Sequence, residues 1–230
     1  MKTLVIVSHP DISDSSSQKY LKDSFPQSGA LTYHHLETIY PDGKIDTKQE
    51  QRLLKEHDRI ILQFPFYWYS SPAMLKQWLD DVLTEGFAYG PRGTALKGKE
   101  LGLVLIIGTA EKEYQVGGRE GFTISALTTP YQAMAKKLQM TFLKPFLIYQ
   151  FQYMNEQEKM RLLIGYQQYL SIHDFDSLHA KERWYLEQLS QLNETYLPKN
   201  SGFILEQIEE FITDTRMELD EIKMYLDGIS

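Results

Sequence analysis

Short apolar runs without polar alternation recur along the first two thirds of the chain. The clearest are residues 2–8 and 101–107, which are rich in Val, Ile and Leu. Such runs are typical of strands that are covered on both faces, as in parallel sheets. Further strands are predicted at residues 31–37, 59–64 and 141–149. The pattern therefore predicts five buried strands.

Helical patterns lie between these strands. They are predicted from about residue 18, over residues 47–56, after Ser71-Pro72 and over residues 125–137. Ser before Pro is a strong helix start, because Ser caps free amides and Pro needs no donor in the first turn. Strands that alternate with helices favour right-handed crossovers and a doubly wound α/β sheet.

The C-terminal part of the chain, from residue 171, has a helical pattern only. Residues 181–197 predict one helix, and after a break at residues 198–202 the same spacing continues in a second. The apolar seam of this second helix contains Ile204, Ile208, Phe211, Thr215, Leu219, Ile222 and Leu226. We interpret the segment as a helical hairpin whose seam packs on the rest of the chain or on a second copy. A regulatory or partner-binding role is the alternative.

Charge and composition exclude several classes of function. The chain has 230 residues and a net charge of −7. Residues 171–230 contain 13 acidic and 5 basic side chains, so the whole excess of negative charge lies in this segment. Neither part has the basic stripe that nucleic-acid binding requires. Cysteine is absent, so redox chemistry would need an organic cofactor, and no metal site is predicted. The apolar runs are too short to cross a membrane, and the N-terminus does not have the pattern of a signal peptide. We therefore expect a cytoplasmic protein.

The loop after the first strand is the first of three candidate ligand loops, since ligands of open α/β sheets bind beyond the carboxyl ends of the strands. It offers His9, Ser15, Ser16, Ser17 and Gln18. A helix N-terminus lined with hydroxyl groups can hold a phosphate without Arg or Lys. The alternative is a solvated turn with one capping serine.

The loop after the third strand is unusually aromatic. Its residues are Pro65, Phe66, Tyr67, Trp68 and Tyr69. Exposed aromatic side chains of this kind favour a planar ligand, which gains stacking energy from them. A dimer contact through Trp68 and Tyr69 is the alternative, and the two roles are compatible.

The loop after the fourth strand supplies Thr109, Ala110 and Tyr114. Its amides and hydroxyl groups could reach the polar edge of a ring, and Tyr114 could donate a proton or stabilise a developing anion. The alternative is an ordinary loop whose charged residues face water.

Three segments together resemble the flavodoxin-fold NAD(P)H:quinone reductases, including the potassium-efflux ancillary oxidoreductases and the modulator-of-drug-activity proteins. They are His9-Pro10, residues 63–78 with the sequence QFPFYWYSSPAMLKQW, and residues 84–90 with TEGFAYG. The resemblance implies a flavodoxin-like, doubly wound, five-stranded parallel sheet of order 2-1-3-4-5. It assigns residues 1–170 to a flavin-binding domain and leaves residues 171–230 as an acidic helical extension.

The same resemblance implies an activity. The protein would hold FMN or FAD noncovalently and pass a hydride from NAD(P)H to a quinone-like acceptor in a ping-pong mechanism. His9, Ser15, Ser16, Ser17 and Gln18 would bind the phosphate, residues 65–69 the flavin ring, and Thr109, Ala110 and the catalytic candidate Tyr114 its far edge. A homodimer is expected, with Trp68, Trp78 and residues 84–90 near its twofold axis.

One departure from the family pattern concerns the third loop. The family has Thr-Gly-Gly where this chain has Thr109-Ala110-Glu111, and the histidine that often follows the tyrosine has no counterpart. Two other functions remain open at this point. One is a flavin-binding ancillary or regulatory subunit of a membrane transporter, and the other is a flavodoxin-like electron carrier.

Overall fold

The computed structural model describes residues 1–191 and 201–227, and its strands form one parallel sheet. The strands in the described ranges are β1 (Thr3–Val7), β2 (Leu31–His35), β3 (Arg59–Pro65), β4 (Glu100–Ile107), β5 (Thr141–Phe142) and β6 (Phe146–Tyr149). Their order is β2-β1-β3-β4-β5, and β6 also pairs with β4. The predicted fold class and strand order are therefore confirmed.

Helices connect the strands and continue after them. In the described ranges they are α1 (Ser16–Asp23), α2 (Leu36–Ile39), α3 (Thr47–Glu56), α4 (Ala73–Val82), α5 (Ile124–Leu127), α6 (Thr129–Lys137), α7 (Glu156–Ser171), α8 (Leu178–Gln191) and α9 (Ser201–Asp227). Short 3₁₀ turns occupy Glu111–Glu113 and Phe151–Tyr153. None of the helices in these ranges combines the length and the apolar character that a membrane span requires.

The predicted fifth strand is divided into β5 and β6, and both lie beside β4. Thr141 pairs with Glu100, whereas Phe146 pairs with Val104. Pro145 lies between the two strands and has no amide hydrogen to donate to the ladder. The fifth position of the sheet is thus shared by two short strands.

The predicted start of the helix after β3 is also displaced. Helix α4 begins at Ala73, and Pro72 occupies the N-cap position without a side-chain capping bond. Ser71, which the sequence predicts as the cap, lies one position before this N-cap. The helix therefore begins one residue later than the Ser71-Pro72 pair predicts.

Alternate residues of the central strands enter cores on opposite faces of the sheet. Ile60, Leu62 and Phe64 of β3 belong to a large apolar cluster that α3, α4 and α6 complete. On the other face Gln63 hydrogen-bonds Tyr166 of α7. Gly102 lies on this second face, where a methyl group would overlap Tyr169 and Ile61.

Helix α7 is anchored at the amino ends of the strands. Thr3 Oγ1 donates to Leu170 O at 2.8 Å, and Arg59 Nη1 donates to Tyr169 O at 2.5 Å. Arg59 Nε also donates to Glu100 Oε2 at 2.6 Å, which forms an ion pair between β3 and β4. The fully buried guanidinium of Arg59 thus joins two strands and a helix.

The chain divides into two compact units, Met1–Ser171 and Ile172–Ser230. In the second unit α8 packs against α9, and Arg216 Nε of α9 donates to Glu182 Oε2 of α8 at 2.6 Å. The predicted helix 181–197 is present as far as Gln191, and its end lies outside the described residues. Five members of the predicted seam are exposed, namely Ile204, Ile208, Phe211, Ile222 and Leu226. Packing of this seam on a second copy stays a prediction.

Candidate functional site

The three predicted ligand loops leave the sheet at the same edge, because all the strands are parallel. Backbone hydrogen bonds fix their starting points. Ser8 N donates to Gln63 O at 3.0 Å, Phe66 N donates to Ile106 O at 2.9 Å, and Gln150 N donates to Ile107 O at 2.8 Å. The carboxyl ends of β1, β3, β4 and β6 therefore form one rim, which is where ligands of this kind of sheet bind.

The first loop ends in the N-terminus of α1. Ser15 is the N-cap and accepts a hydrogen bond from Gln18 N at 3.3 Å, while the hydroxyl oxygens of Ser15 and Ser17 lie 3.3 Å apart. The first turn contains no acidic residue. The amides of a first turn have no helical acceptors, and the helix dipole is positive there, so the site favours an anion.

His9 begins the same loop as a neutral hydrogen-bond donor. Partial burial lowers the pKa of its imidazole, although the nearby Glu37 carboxylate acts in the opposite direction. Its Nδ1 accepts from Asp11 N at 3.1 Å, so the proton of the neutral ring lies on Nε2. His35 Nε2 lies 3.0 Å from His9 O, and this contact fixes the backbone of the loop.

A buried chain of polar side chains connects the first loop with α7. Tyr166 OH donates to Gln63 Oε1 at 2.7 Å, and Gln63 Nε2 donates to Gln18 Oε1 at 2.7 Å. Gln18 Nε2 then has no partner among the described residues, although Gln18 is completely buried. An unsatisfied buried donor is costly, so its presence beside a helix N-terminus indicates a place for a ligand acceptor.

Gln63 was not among the site residues predicted from the sequence. It is fully buried near the carboxyl end of β3 and holds Gln18 in position. A polar side chain in the otherwise apolar run IILQFP of this strand is a signal that could have identified it.

The aromatic loop after β3 contains a tight turn from Tyr67 to Ser70. Trp68 and Tyr69 at its centre have φ values of 49° and 62°, and Ser70 N donates to Tyr67 O at 3.0 Å. Left-handed backbone is uncommon for bulky residues and costs about 1–2 kcal/mol each. Strain of this kind persists where the surrounding structure imposes it, and it is frequent at ligand sites.

The aromatic side chains of this loop differ sharply in exposure. Trp68 is 93% exposed, and Tyr67 and Tyr69 are also exposed. Phe66 is buried in the large apolar cluster, and Pro65 is buried in β3. The ring of Phe66 therefore packs in the core and does not lie at the surface with its neighbours, contrary to the stacking role expected for the whole segment.

The third loop places Tyr114 against the core. Burial raises the pKa of its phenol, and a hydrogen bond with the Thr109 side chain opposes this effect. The Tyr114 ring lies 6.3 Å from that of Tyr149, the last residue of β6. Burial likewise raises the pKa of Tyr149 to about 12. Both phenols keep their protons at neutral pH, and Tyr149, at the carboxyl end of β6, is a residue that the sequence analysis did not predict for the site.

The backbone at Ala110 is free of strain. Its φ of −68° and ψ of 147° are ordinary for an L-amino acid. The loop conformation at this position therefore does not require glycine.

One hydrogen bond joins the third loop to the aromatic loop, and an ion pair stabilises the third loop internally. Tyr69 OH donates to Glu120 Oε2 at 2.8 Å and joins the two loops directly. Arg119 Nε donates to Glu113 Oε2 at 3.0 Å within the third loop, and this ion pair lowers the pKa of the Glu113 carboxyl. The second and third predicted segments are thus brought together, as the shared rim requires.

Two cavities border the rim. One, of about 430 Å³, lies beside the first loop and is lined by residues 10–13, α1 and the end of β2. The other, of about 520 Å³, begins at Tyr69 and runs as an apolar groove between α4 and α6. The groove follows the helices away from the rim, so the larger cavity extends beyond the predicted flavin site.

Comparison with known families decides the classification. Residues 1–170 match the family described as having a flavodoxin-like fold. The chain belongs to this flavodoxin-like family. The match covers the first unit up to one residue before its end.

Relatives in the flavodoxin-like family carry oxidoreductase names. The chain is 50% identical over 149 residues, 65% of its length and 86% of the relative, to the uncharacterized NAD(P)H oxidoreductase YrkL of Bacillus subtilis. It is 42% identical over 195 residues, 85% of its length and 98% of the relative, to YdeQ, another uncharacterized NAD(P)H oxidoreductase of that organism. A match of 195 residues necessarily includes some beyond residue 170. It is also 39% identical, over 64% of its length and 81% of the relative, to the glutathione-regulated potassium-efflux system ancillary protein KefG of Pectobacterium atrosepticum.

Solved structures of flavodoxin-like proteins agree with this placement. An NADPH-quinone reductase from P. pentosaceus superposes with a TM-score of 0.70 at 43% identity, covering 74% of this chain and 98% of that one. The general stress protein 14 of Treponema denticola, in complex with FMN, gives 0.69 at 38% identity with the same coverage.

Proposed function

We propose that the chain is an NAD(P)H oxidoreductase that binds FMN noncovalently at the rim and reduces quinone-like acceptors in a ping-pong mechanism. The single observation that carries the proposal is the buried, unpartnered Nε2 of Gln18 at the N-terminus of α1, whose Oε1 accepts from Gln63 of β3, the strand that leads into the aromatic loop. A phosphate acceptor would satisfy this donor, and a flat ring system would cover the aromatic side chains. Family membership and the FMN complex of a relative support the same conclusion.

The first loop would hold the phosphate of FMN. Ser15, Ser16 and Ser17 offer hydroxyl and amide groups, and Gln18 and His9 offer side-chain N–H groups. The neutral state of His9 is no obstacle, because the helix N-terminus and the hydrogen bonds compensate the charge of the phosphate. No Arg or Lys is needed in this arrangement.

The second and third loops would hold the flavin ring. The exposed Tyr67, Trp68 and Tyr69 would provide aromatic surface, and Thr109 and Ala110 would provide amides for the far edge of the ring. The bound flavin would supply the hydride chemistry between NAD(P)H and the acceptor. The protein would position the reactants and exclude water.

Protonated phenols would assist at the edge of this slot. Tyr114 and Tyr149 keep their protons at neutral pH because burial raises their pKa values. A protonated phenol can donate to a developing anion. Since Tyr114 is largely buried, Tyr149 joins it as a candidate for this role.

A homodimer through the groove between α4 and α6 fits the apolar lining of that groove, which includes Leu79, Leu83 and Tyr89. Trp78 is buried and its Nε1 donates to Glu50 Oε2 at 2.8 Å, so its ring would not itself contact a second copy, and its place near a twofold axis stays a prediction. Sedimentation of the FMN-loaded protein as a monomer would argue against the dimer.

The cytoplasmic location predicted from the sequence stays a prediction.

Anaerobic spectroscopy tests the activity. Purified protein loaded with FMN should lose its visible flavin absorbance when NADPH or NADH is added, and menadione should restore it. Flavin that binds but is not reduced by either nucleotide would contradict the oxidoreductase.

Two variants of the buried polar chain test the site. Gln18→Leu removes the free donor and should weaken FMN binding by about tenfold or more, because a hydrogen bond to a charged group contributes about 1.5–3 kcal/mol. Tyr166→Phe removes the hydroxyl group at the other end of this series of hydrogen-bonded side chains and serves as the matched control. Its affinity for FMN should be close to that of the unmodified protein. Equal affinities of both variants and the parent, measured by fluorescence titration, would place the phosphate elsewhere.

An ancillary role at a membrane transporter is the second candidate, and the likeness to the KefG protein favours it. It would retain FMN binding, while reduction by NAD(P)H would be slow and would need a partner. The same spectroscopic experiment separates the two functions, since only the enzyme is reduced rapidly by itself.

A further inference from the structure

We propose that α9 carries a docking surface for a protein partner that presents an apolar groove edged with Lys and Arg. The surface is the exposed seam of Ile204, Ile208, Phe211, Ile222 and Leu226, called the α9 stripe below. It lies in the second unit and does not depend on the proposed oxidoreductase activity.

The geometry of the stripe is that of a helix that inserts into a groove. Ile204, Ile208 and Phe211 follow the i, i+4, i+7 spacing of anchor residues, and Ile222 and Leu226 continue the same face. At 1.5 Å per residue the stripe is about 33 Å long. Phe211 is its most exposed member, at 73%. Thr215 lies between Phe211 and Ile222, so the stripe consists of two exposed apolar groups, at 204–211 and at 222–226, on one face. Exposed apolar groups that share one face are typical of an interaction site.

Helix α8 contacts a neighbouring face of α9 and leaves the stripe exposed. Arg216 binds Glu182 of α8, and the half-buried Leu205, Ile212 and Leu219 lie on the same side of α9 as Arg216. The stripe is displaced around the helix from these residues. Packing within the hairpin therefore accounts for a different set of apolar side chains.

The charge beside the stripe selects the partner. Helix α9 contains eight acidic and two basic residues, and one of the basic residues, Arg216, is engaged by Glu182 and Asp220. Asp214, Glu218 and Glu221 follow the border of the stripe that faces away from Arg216. Complementary charge steers association and fixes the register of an interface, so the edges of the matching groove should be basic.

Two other binding partners, a second copy of the chain and an anionic membrane, fit the acidic border of the α9 stripe poorly. A second copy of the chain would bring its own acidic border against the first, and like charges that face each other oppose association. Helices that lie on anionic membranes carry Lys and Arg on their polar face, whereas α9 carries mainly Glu and Asp. A partner protein with an apolar groove and basic edges complements both the α9 stripe and its acidic border.

A model peptide tests the proposal with the full chain. The probe is a fluorescent peptide of roughly 20 residues, built of Leu and Lys to form an amphipathic helix, and its Glu-containing counterpart is the negative probe. The Leu/Lys peptide should bind, with an affinity that falls as salt is added. The double variant I208E/F211E should weaken binding by about tenfold or more, although it adds two negative charges.

The matched control is the double variant M217E/M224E, which adds the same charge at exposed positions on the opposite side of α9. It should bind the Leu/Lys peptide at least as tightly as the parent. Unchanged or tighter binding by I208E/F211E would show that attraction is purely electrostatic and would overturn the proposal. Loss of a dimer, or loss of binding to phosphatidylglycerol vesicles, in the stripe variant alone would assign the stripe to a second copy or to a membrane instead.

Discussion

At the scale of single residues, the main feature is the strained turn that exposes Trp68. Two bulky residues in succession adopt left-handed backbone there, where Gly or Asn is usual. The Trp68 ring is almost entirely exposed, so the strain is not compensated by burial of that ring. We interpret the turn as a device that presents an aromatic face to a ligand.

Two substitutions at Trp68 separate the backbone from the ring. Both Trp68→Ala and Trp68→Gly remove the stacking face and should weaken FMN binding by about 0.5–1.5 kcal/mol. Trp68→Gly should be at least as stable as Trp68→Ala, because only glycine tolerates the left-handed backbone without cost. Urea denaturation and FMN titration of both variants check these two effects separately. A Gly variant clearly less stable than the Ala variant would argue against strain, and unchanged FMN affinity in both would remove the ring from the flavin site.

The position of this loop could be predicted from the sequence, whereas the orientation of its side chains could not. Aromatic residues that directly follow a buried strand indicate a ligand loop from composition alone. Whether a ring points to the core or to water depends on the turn dihedrals, and these separate the buried Phe66 from the exposed Tyr67. The contribution of Gln63 depends on which face of β3 meets α1 and α7, which the sequence pattern does not specify.

At the scale of elements, a buried carboxylate connects three parts of the first unit. Glu50 of α3 accepts hydrogen bonds from Tyr40 OH at 2.5 Å, Trp78 Nε1 at 2.8 Å and His34 Nε2 at 3.0 Å. Burial by itself would raise its pKa, and it is the largest single influence. The three hydrogen bonds together outweigh it, so the pKa of Glu50 lies below its ordinary value of 4.5.

Replacement of Glu50 by Gln should destabilise the first unit in a pH-dependent way. A depressed folded-state pKa means that the carboxylate stabilises the fold fully above pH 4.5 and that this contribution is lost as the pH falls through the lower, folded-state pKa. At pH 7 we expect E50Q to lose about 1–3 kcal/mol of unfolding free energy. Urea denaturation at several pH values should show the difference from the parent becoming smaller in acid. A difference that grows below pH 4.5 would contradict the assigned direction.

The elements themselves were largely predictable. The strands at residues 59–64 and 101–107 and the helix at 47–56 agree with β3, β4 and α3 within one residue at each end. These segments have strong apolar periodicity and clear caps, such as Asp46, whose side chain accepts from Gln49 N. The division of the fifth strand was missed, because the interruption depends on how Pro145 meets the ladder of β4.

At the scale of the whole molecule, the boundary after Ser171 separates two units of different character. Helix α7 belongs to the first unit, since Tyr166, Tyr169 and Leu170 are fully or almost fully buried and bond to its strands. The excess of acidic over basic residues lies in the second unit. The proposed division of labour assigns flavin chemistry to the first and partner binding to the second.

Truncation after Ser171 tests this division. Residues 1–171 should fold, bind FMN and be reduced by NAD(P)H, because the rim and its supporting helix are all retained. Truncation after residue 155 is the control and should fail to fold stably, since it removes the buried side chains of α7. Circular dichroism and FMN titration of the two fragments provide the measurements. Loss of structure or FMN binding in the longer fragment would show that the second unit completes the first.

The two ends of the sheet carry different groups, and this has a consequence for how the protein can diversify. The amino ends of β3 and β4 are fastened by Arg59 and Glu100, whereas the carboxyl ends open into the ligand loops. Substitutions in those loops do not alter the contacts of Arg59 at the other end of the sheet. Substrate preference can therefore change during evolution while the fold is conserved. Descendants of this scaffold should accordingly differ most along one edge of the molecule and least along the other.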